Sequence, residues 1–283
     1  MKSGMIAIVG RSNAGKSTLL NSLVGSKVAI TTPKPQTTRR PIQGILTNSQ
    51  GQAVFVDTPG VMQVARDPLT KKLANYAKEA LRGVDAVIYV ADPTRSIGDE
   101  EKQALRMIEN IDKPKLLVIN KIDKKRDAHF IDYFRDLADR FDNFVEASAM
   151  TNKNTDLIVK WIFEQLPEGE FLYPAYQLTS MGNEEWLAEL IREKLFLRLR
   201  EEVPYTTHVE VTTLEEQADG TVFVDATIFT HNERYKPMII GAGGRGIKEI
   251  GSSTRKELEA VTGKKYYLQL HVEVDSRWVS RLE

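Results

Sequence analysis

Eight residues near the start of the chain, Gly10-Arg11-Ser12-Asn13-Ala14-Gly15-Lys16-Ser17, have the types and spacing of a loop that holds phosphate. Its glycines let backbone N–H groups close around phosphate oxygens, and a helix opening at Lys16 adds the positive end of its dipole. The Lys16 ammonium reaches β and γ oxygens, and the Ser17 hydroxyl ligates Mg²⁺. Thr18 belongs to the same helix entry. The loop directly follows the apolar run Met5 to Val9, a context that favours this reading over a ligand-free strand-to-helix turn.

Asp57-Thr58-Pro59-Gly60 ends a second apolar run, Ala53 to Asp57. A carboxylate there would approach the same Mg²⁺ through water, and the Gly60 N–H would meet a γ-phosphate. An acidic strand end before a Pro-Gly turn is common by itself; its weight comes from the pairing with the first loop. Asn120-Lys121-Ile122-Asp123 follows a third run, Leu116 to Ile119, at the carboxyl end of a buried strand, where open α/β sheets bind ligands. Asp123 can accept hydrogen bonds from N1–H and N2–H₂ of guanine, donors that adenine lacks. A base without them would leave the carboxylate unpaired. Ser148-Ala149 would offer a backbone N–H to the guanine oxygen, a weak signal in two small residues. Taken alone, the tetrapeptide fits a solvated loop equally well, and an ATPase is the competing reading.

These residues need a scaffold. Short apolar runs predict strands over Met5 to Val9, Ile42 to Leu46, Ala53 to Asp57, Ala86 to Asp92, Lys115 to Asn120 and Phe144 to Ser148. Amphipathic stretches predict helices near 16–24, 69–81, 99–110, 128–140 and 155–165. The alternation is that of a mostly parallel sheet flanked by helices, an α/β domain over 1–166. Pro167-Glu168-Gly169-Glu170 and Pro174 break the pattern, so 167–182 reads as a linker. Residues 183–283 predict the different order α-β-β-α-β, with a hairpin turned at Asp219-Gly220.

The second half carries Ile240-Gly241-Ala242-Gly243-Gly244-Arg245-Gly246-Ile247-Lys248. Gly241, Gly243 and Gly246 also fit a dinucleotide fingerprint, but Pro237 leaves only a stub of strand before them and no acidic strand end follows about 20 residues on. The better fit is the GxxG loop of a KH domain, Gly241 to Gly244, where small residues let about four nucleotides pass close to a helix N-terminus. Ile239, Ile240, Ile247 and Ile250 would line the groove for the bases, and Arg245 and Lys248 stand just outside the loop.

Composition narrows the function classes. The 283 residues include no cysteine, which removes thiol nucleophiles, disulfides and thiolate zinc sites. The longest apolar runs are short strands, far below the roughly 18 residues of a membrane helix, so a cytosolic protein is expected. With 39 basic and 39 acidic residues the net charge is zero, which excludes a protein that coats nucleic acid indiscriminately. The charge is nonetheless uneven: residues 231–265, around the Gly-rich loop, hold 8 bases against 4 acids, while 184–219 hold 10 acids against 4 bases. Such a domain would grip few phosphates, with a shallow salt dependence.

The four nucleotide elements, in this order, resemble those of the translation-factor-like GTPases. Together with the C-terminal GxxG module, the chain resembles the Era family of bacterial ribosome-assembly GTPases over nearly its whole length. That resemblance implies a P-loop GTPase domain followed by an α+β type II KH domain over 183–283. It implies hydrolysis of GTP to GDP and phosphate with Mg²⁺, and binding of RNA, not DNA, at the 3′ end of 16S ribosomal RNA in the 30S subunit. It further implies a cytoplasmic protein with peripheral contact to the inner membrane surface. Within Pro35 to Arg39 the resemblance favours Thr38 over Thr37 as the switch threonine that closes on Mg²⁺, so Lys16, Thr38 and Gly60 become the expected catalytic residues. Asn13 resembles the residue that binds K⁺ in cation-dependent relatives; a capping Asn in a turn is the other reading. Val61 stands where Ras-like enzymes keep a water-orienting Gln, so unassisted turnover should be slow, on the order of 10⁻³ per second. Family members usually carry a basic residue inside the GxxG loop, where this chain has Ala242 and Gly243.

Overall fold

Residues 1–180 and 181–283 form two separate units in the computed structural model, which describes residues 1–34, 37–39, 42–60 and 68–281. The first unit runs β1 (Lys2–Val9), α1 (Lys16–Val24), β2 (Ile42–Asn48), β3 (Gly51–Asp57), α2 (Pro68–Glu79), β4 (Ala86–Ala91) and α3 (Asp99–Glu109), then β5 (Lys115–Ile119), α4 (Ile131–Asp136), β6 (Asn143–Glu146) and α5 (Thr155–Gln165). The strands order as β2-β3-β1-β4-β5-β6, with β2 antiparallel to β3 and the other pairs parallel. The inner strands read as unbroken apolar runs because helices cover both sheet faces. Ala7, Val9, Val87, Tyr89, Leu117 and Ile119 pack with Ala104, Ile108 and Phe134 of α3 and α4, while α1 and α5 meet β3.

All six expected strands form, with shifted ends. Lys2 pairs with Gly51, which extends β1 and β3 backwards together. The helix expected over 128–140 shortens to α4 plus a 3₁₀ turn at Ala138–Arg140, and the Phe130 N–H just before it donates to Pro93 O at 3.1 Å. The parallel strands all point one way, so their carboxyl ends bring residues 10–15, 58–60, 92–96, 120–123 and 147–149 to one edge of the sheet.

Residues 167–180, expected as a linker, lie within the first unit. Ser3 N–H donates to Pro167 O at 2.9 Å and Gly169 N–H to Met1 O at 2.9 Å. Gln52 exchanges two bonds with the Tyr173 backbone at 2.8 and 2.9 Å. Ile45 N–H donates to Leu178 O at 2.8 Å, and Ser180 N–H to Gln43 O at 3.3 Å. The last two bonds cover part of β2, an edge strand whose outer N–H and C=O groups would otherwise face solvent unpaired.

The second unit runs α6 (Asn183–Arg198), β7 (Thr207–Glu216), β8 (Val222–Thr230), α7 (Lys236–Ile240), α8 (Arg245–Thr262) and β9 (Tyr266–Val274), with sheet order β7-β8-β9. β7 and β8 are antiparallel, β8 and β9 parallel. The expected order lacked α7. Pro237 sits in its first turn, where no N–H is needed, so the proline that left no room for a strand before the loop starts a helix there. Gly246, Ile250, Thr254 and Leu258 form the buried face of α8 at four-residue spacing. Among the described residues no helix is long and apolar enough to cross a membrane.

Candidate functional site

A cavity of about 650 Å³ opens at the carboxyl edge of the first sheet, between the 10–15 loop, Gly60 and the 120–123 loop. Side-chain donors hold the carbonyls of the first loop: Lys16 Nζ reaches Gly10 O and Arg11 O, both at 3.1 Å, Lys121 Nζ reaches Asn13 O at 2.7 Å, and Asn120 Nδ2 reaches Ala14 O at 3.0 Å. The C=O and N–H of a trans peptide point opposite ways, so pinning carbonyls fixes where the N–H groups aim. Gly15 is obligatory here: its φ is 100°, and a Cβ would lie 2.3 Å from Asn120 Nδ2. Thr18 lines the same cavity.

Three oxygens converge beside Lys16. Ser17 Oγ donates to Asp57 Oδ2 at 2.6 Å, and Thr38 Oγ1 lies 3.0 Å from Ser17 Oγ and 3.4 Å from Asp57 Oδ2. Thr37 turns elsewhere, to Thr32 and Lys34 O, so Thr38 is the threonine brought to the cluster. Asp57 is fully buried, and its Oδ1 has no hydrogen-bond partner among the described residues. Hydroxyl and carboxylate oxygens with an unsatisfied buried lone pair suit a hard divalent cation such as Mg²⁺. Burial pushes the Asp57 carboxyl up and the Lys16 ammonium down, each opposed by the other's charge. Thr58 stitches the end of β3 to β1 by donating through Oγ1 to Ile8 O at 2.8 Å, and Pro59 is buried beside it. Gly60 packs against the first loop; a Cβ there would lie 2.6 Å from Ser12 Cα. Val61 lies outside the described residues.

On the opposite side, Ser148 Oγ donates to Asp123 Oδ1 at 2.5 Å. Ala149 N–H donates to Asn120 Oδ1 at 3.0 Å, so Asn120 ties the first loop to the Ser148-Ala149 turn. Lys121 also pairs with the buried Asp92 at 2.6 Å. Asp123, Lys121 and Ala149 line the cavity.

Arg11 departs from the expectation of a nucleotide ligand: its side chain is 2% exposed and turns into the protein. Nε lies 3.0 Å from Glu101 Oε2, and Glu101 also accepts from the Tyr89 hydroxyl. Removing one partner of such a buried pair costs about 3–5 kcal/mol, so the Arg11 guanidinium is structural and only its backbone remains for phosphate. Sequence reading missed Asn21, Asp92 and Arg95. Asn21 lies four residues after Ser17, on the same helix face, and clamps the 28–29 backbone through Val28 N–H at 3.0 Å and Ala29 N–H at 2.9 Å. Asp92, just after β4, occupied the same kind of strand-end position as Asp57 and Asn120, a signal that was available.

In the second unit a 3₁₀ turn, Ala242–Gly244, joins α7 to α8. Gly241, Gly243 and Gly244 have φ of 74°, 59° and 75°, left-handed values that favour glycine. Ala242, Gly243, Arg245 and Lys248 are exposed. Ile240 and Ile247 are partly buried, whereas Ile239 and Ile250 sit within the core and are not groove-lining as expected. The helix before the loop also removes the dinucleotide reading, which needs a strand there.

Residues 5–121 match the family described as 50S ribosome-binding GTPase, and residues 202–279 match the KH domain family. GTPase Era of Thermoanaerobacter sp. strain X514 is 40% identical over 281 residues, 98% of this chain and 92% of the relative. The Era of Heliobacterium modesticaldum is 38% identical over 284 residues, 99% and 94% of the two chains. Two solved structures match with a TM-score of 0.92 over 100% of this chain. One is an Aquifex aeolicus Era variant bound to GDP and AlF₄⁻, 35% identical with 97% of its chain covered. The other is Era with MgGDPNP and nucleotides 1506–1542 of 16S ribosomal RNA, 36% identical with 96% covered. A P-loop GTPase sheet whose loops converge on one phosphate-and-base cavity is followed by a KH module of order α-β-β-α-α-β, the match to these relatives spans nearly the whole chain, and the chain belongs to the Era family of GTPases.

Proposed function

We propose that this GTPase is a nucleotide-driven switch whose KH unit grips the 3′ end of 16S ribosomal RNA during assembly of the 30S subunit. The observation that carries the reading is the full-length match to an Era structure holding a GTP analogue and that RNA segment together. Ser17, Thr38 and Asp57 would hold Mg²⁺, which when bound would supply charge neutralisation on the phosphate oxygens. Lys16 and the N–H groups of the 10–15 loop stabilise charge on the γ-phosphoryl group, the Gly60 N–H meets it, and Asp123 selects guanine. Thr38 closing on the nucleotide would act on β2, which begins four residues later at Ile42 and is bonded to 178–180 through Gln43 and Ile45. The same reading locates the protein in the cytoplasm, with peripheral contact to the inner membrane surface.

Crosslinking the GTP-bound protein in cells and sequencing the attached RNA should recover the 3′ end of small-subunit ribosomal RNA. Recovery of unrelated RNA, or only of protein or lipid, would overturn the partner. RNA affinity identical with GTP, GDP and no nucleotide would overturn the switch and leave an RNA chaperone with a structural nucleotide.

A monovalent ion joins this reading through Asn13. Its Nδ2 donates to Pro33 O at 2.8 Å, bridging the phosphate loop to the 31–34 stretch instead of capping its own turn. With Nδ2 used as a donor, the amide oxygen Oδ1 of Asn13 is the atom that would ligate K⁺, whose charge would do the work of an arginine finger. Single-turnover hydrolysis should be about tenfold faster in K⁺ than in Na⁺ of equal concentration; equal rates would remove the ion from the mechanism.

A further inference from the structure

We infer that Arg95, in the loop between β4 and α3, is a positioning residue for phosphoryl transfer that acts through the Ser12–Asn13 peptide. Arg95 Nη1 donates to Ser12 O at 2.8 Å, and the residue borders the nucleotide cavity. The carbonyls of residues 10, 11, 13 and 14 are held by Lys16, Lys121 and Asn120, all within the nucleotide motifs. The carbonyl between them is held from outside those motifs, by Arg95.

This peptide needs a clamp. Asn13 has φ of 62°, a left-handed conformation that asparagine adopts more readily than most residues but that still has to be held in one orientation for the loop to present its N–H groups. Arg95 fixes the peptide plane before Asn13 and Lys121 the plane after it. With its carbonyl on Arg95, the Ser12–Asn13 peptide directs the Asn13 N–H the opposite way. The peptide also sits at the γ-phosphate end of the loop, since Ser12 abuts Gly60: a Cβ on Gly60 would lie 2.9 Å from Ser12 N.

Arg95 is mounted on a rigid arch. The buried Arg11 guanidinium donates to Ser96 O at 2.7 Å, Asp92 O at 2.8 Å and Arg95 O at 3.2 Å, and Asp92 Oδ1 accepts from Thr94 N–H at 2.9 Å. Adjacent loop residues are thus tied to the arch in both directions, Arg11 by its side chain and Ser12 by its carbonyl. The Arg95 side chain itself is 45% exposed, and its ion pair with Glu100 at 3.9 Å is of the exposed kind that adds little to stability. Its loss should leave the fold intact and loosen one preoriented donor, where charge develops as the γ-phosphoryl group leaves.

The test uses the full chain with Arg95→Ala and Arg95→Lys. For Arg95→Ala, single-turnover GTP hydrolysis should fall about tenfold or more, affinity for a non-hydrolysable GTP analogue should fall further than affinity for GDP, and the thermal midpoint should hold. Arg95→Lys should fall between, because an ammonium keeps the charge and loses the planar fork. Millimolar guanidinium ion should restore part of the Arg95→Ala rate. A hydrolysis rate within twofold of the unmodified protein would overturn the inference, as would equal losses of GDP affinity, GTP affinity and thermal midpoint with no rescue, which would mark Arg95 as merely structural.

Discussion

Asn in place of Asp123 should lower GTP affinity by about 10³-fold or more and raise affinity for xanthosine triphosphate by a comparable factor. Guanine presents two donors, N1–H and N2–H₂, to a carboxylate that can accept both. An Asn amide presents one acceptor and one donor, so its NH₂ would oppose the guanine amino group and leave a buried donor pair unpaired, whereas xanthine offers a carbonyl at that position. Asp123 is already aimed: Ser148 Oγ holds Oδ1 at 2.5 Å, which lowers the ordering cost when the base arrives. Competition among GTP, XTP and ATP for the full chain measures the effect. Unchanged preference for the three bases would return the site to the ATPase reading.

The second large effect concerns the Gly-rich turn. Replacing Ala242 and Gly243 together with Asp should reduce affinity for an RNA carrying the 16S 3′ end by about 100-fold, while single-turnover GTP hydrolysis stays unchanged. Both residues are exposed, and a Cβ at Gly243 meets nothing within 4 Å, so two negative charges enter without disturbing packing. Asp also tolerates the left-handed backbone of Gly243 better than most residues. Gly241 would be a poor choice, since a Cβ there would press to 2.8 Å of Gly246 N and confuse strain with charge. In the unmodified protein the salt dependence should be shallow, with a log–log slope of about −1.4, because single strands contribute roughly −0.7 per phosphate and Arg245 and Lys248 are the two exposed cations that follow the loop in sequence. A slope several times steeper, or RNA affinity untouched by the double substitution, would take the RNA away from this loop.

The nucleotide loops were legible in the residues because each is a local solution to one physical demand. Gly15 must leave room for a neighbour, Lys16 must open a helix, and Asp57 must end a strand; such requirements appear at fixed spacing. Their convergence also followed, since parallel strands deliver their carboxyl ends to one edge. What could not be read was any pairing between distant residues. Arg11 matched the motif by position, yet its side chain answers to Glu101, ninety residues away, and nothing in the loop's own sequence announces that. Arg95 escaped for the same reason. Pro237 argued correctly against a strand before the Gly-rich loop, but that it instead starts the helix α7 was not read, because proline forbids a helix interior and suits a helix start, and only the tertiary setting decides which applies. The isoleucines around the GxxG loop were correctly apolar, but a pattern of four cannot say that Ile239 and Ile250 face inward while Ile240 and Ile247 remain partly accessible.

Residues 167–180 looked like a tether, yet they pack onto the first unit and at 178–180 seal part of the outer side of β2. A fragment cut at 166 would therefore be more than a G domain set free. It would carry a bare strand edge of seven residues, Ile42–Asn48, with its amide and carbonyl groups open to pairing with the next molecule. Separate production of the catalytic half should keep the chain to Ser180, and the self-association of a shorter piece would report the missing seal, not a property of the enzyme.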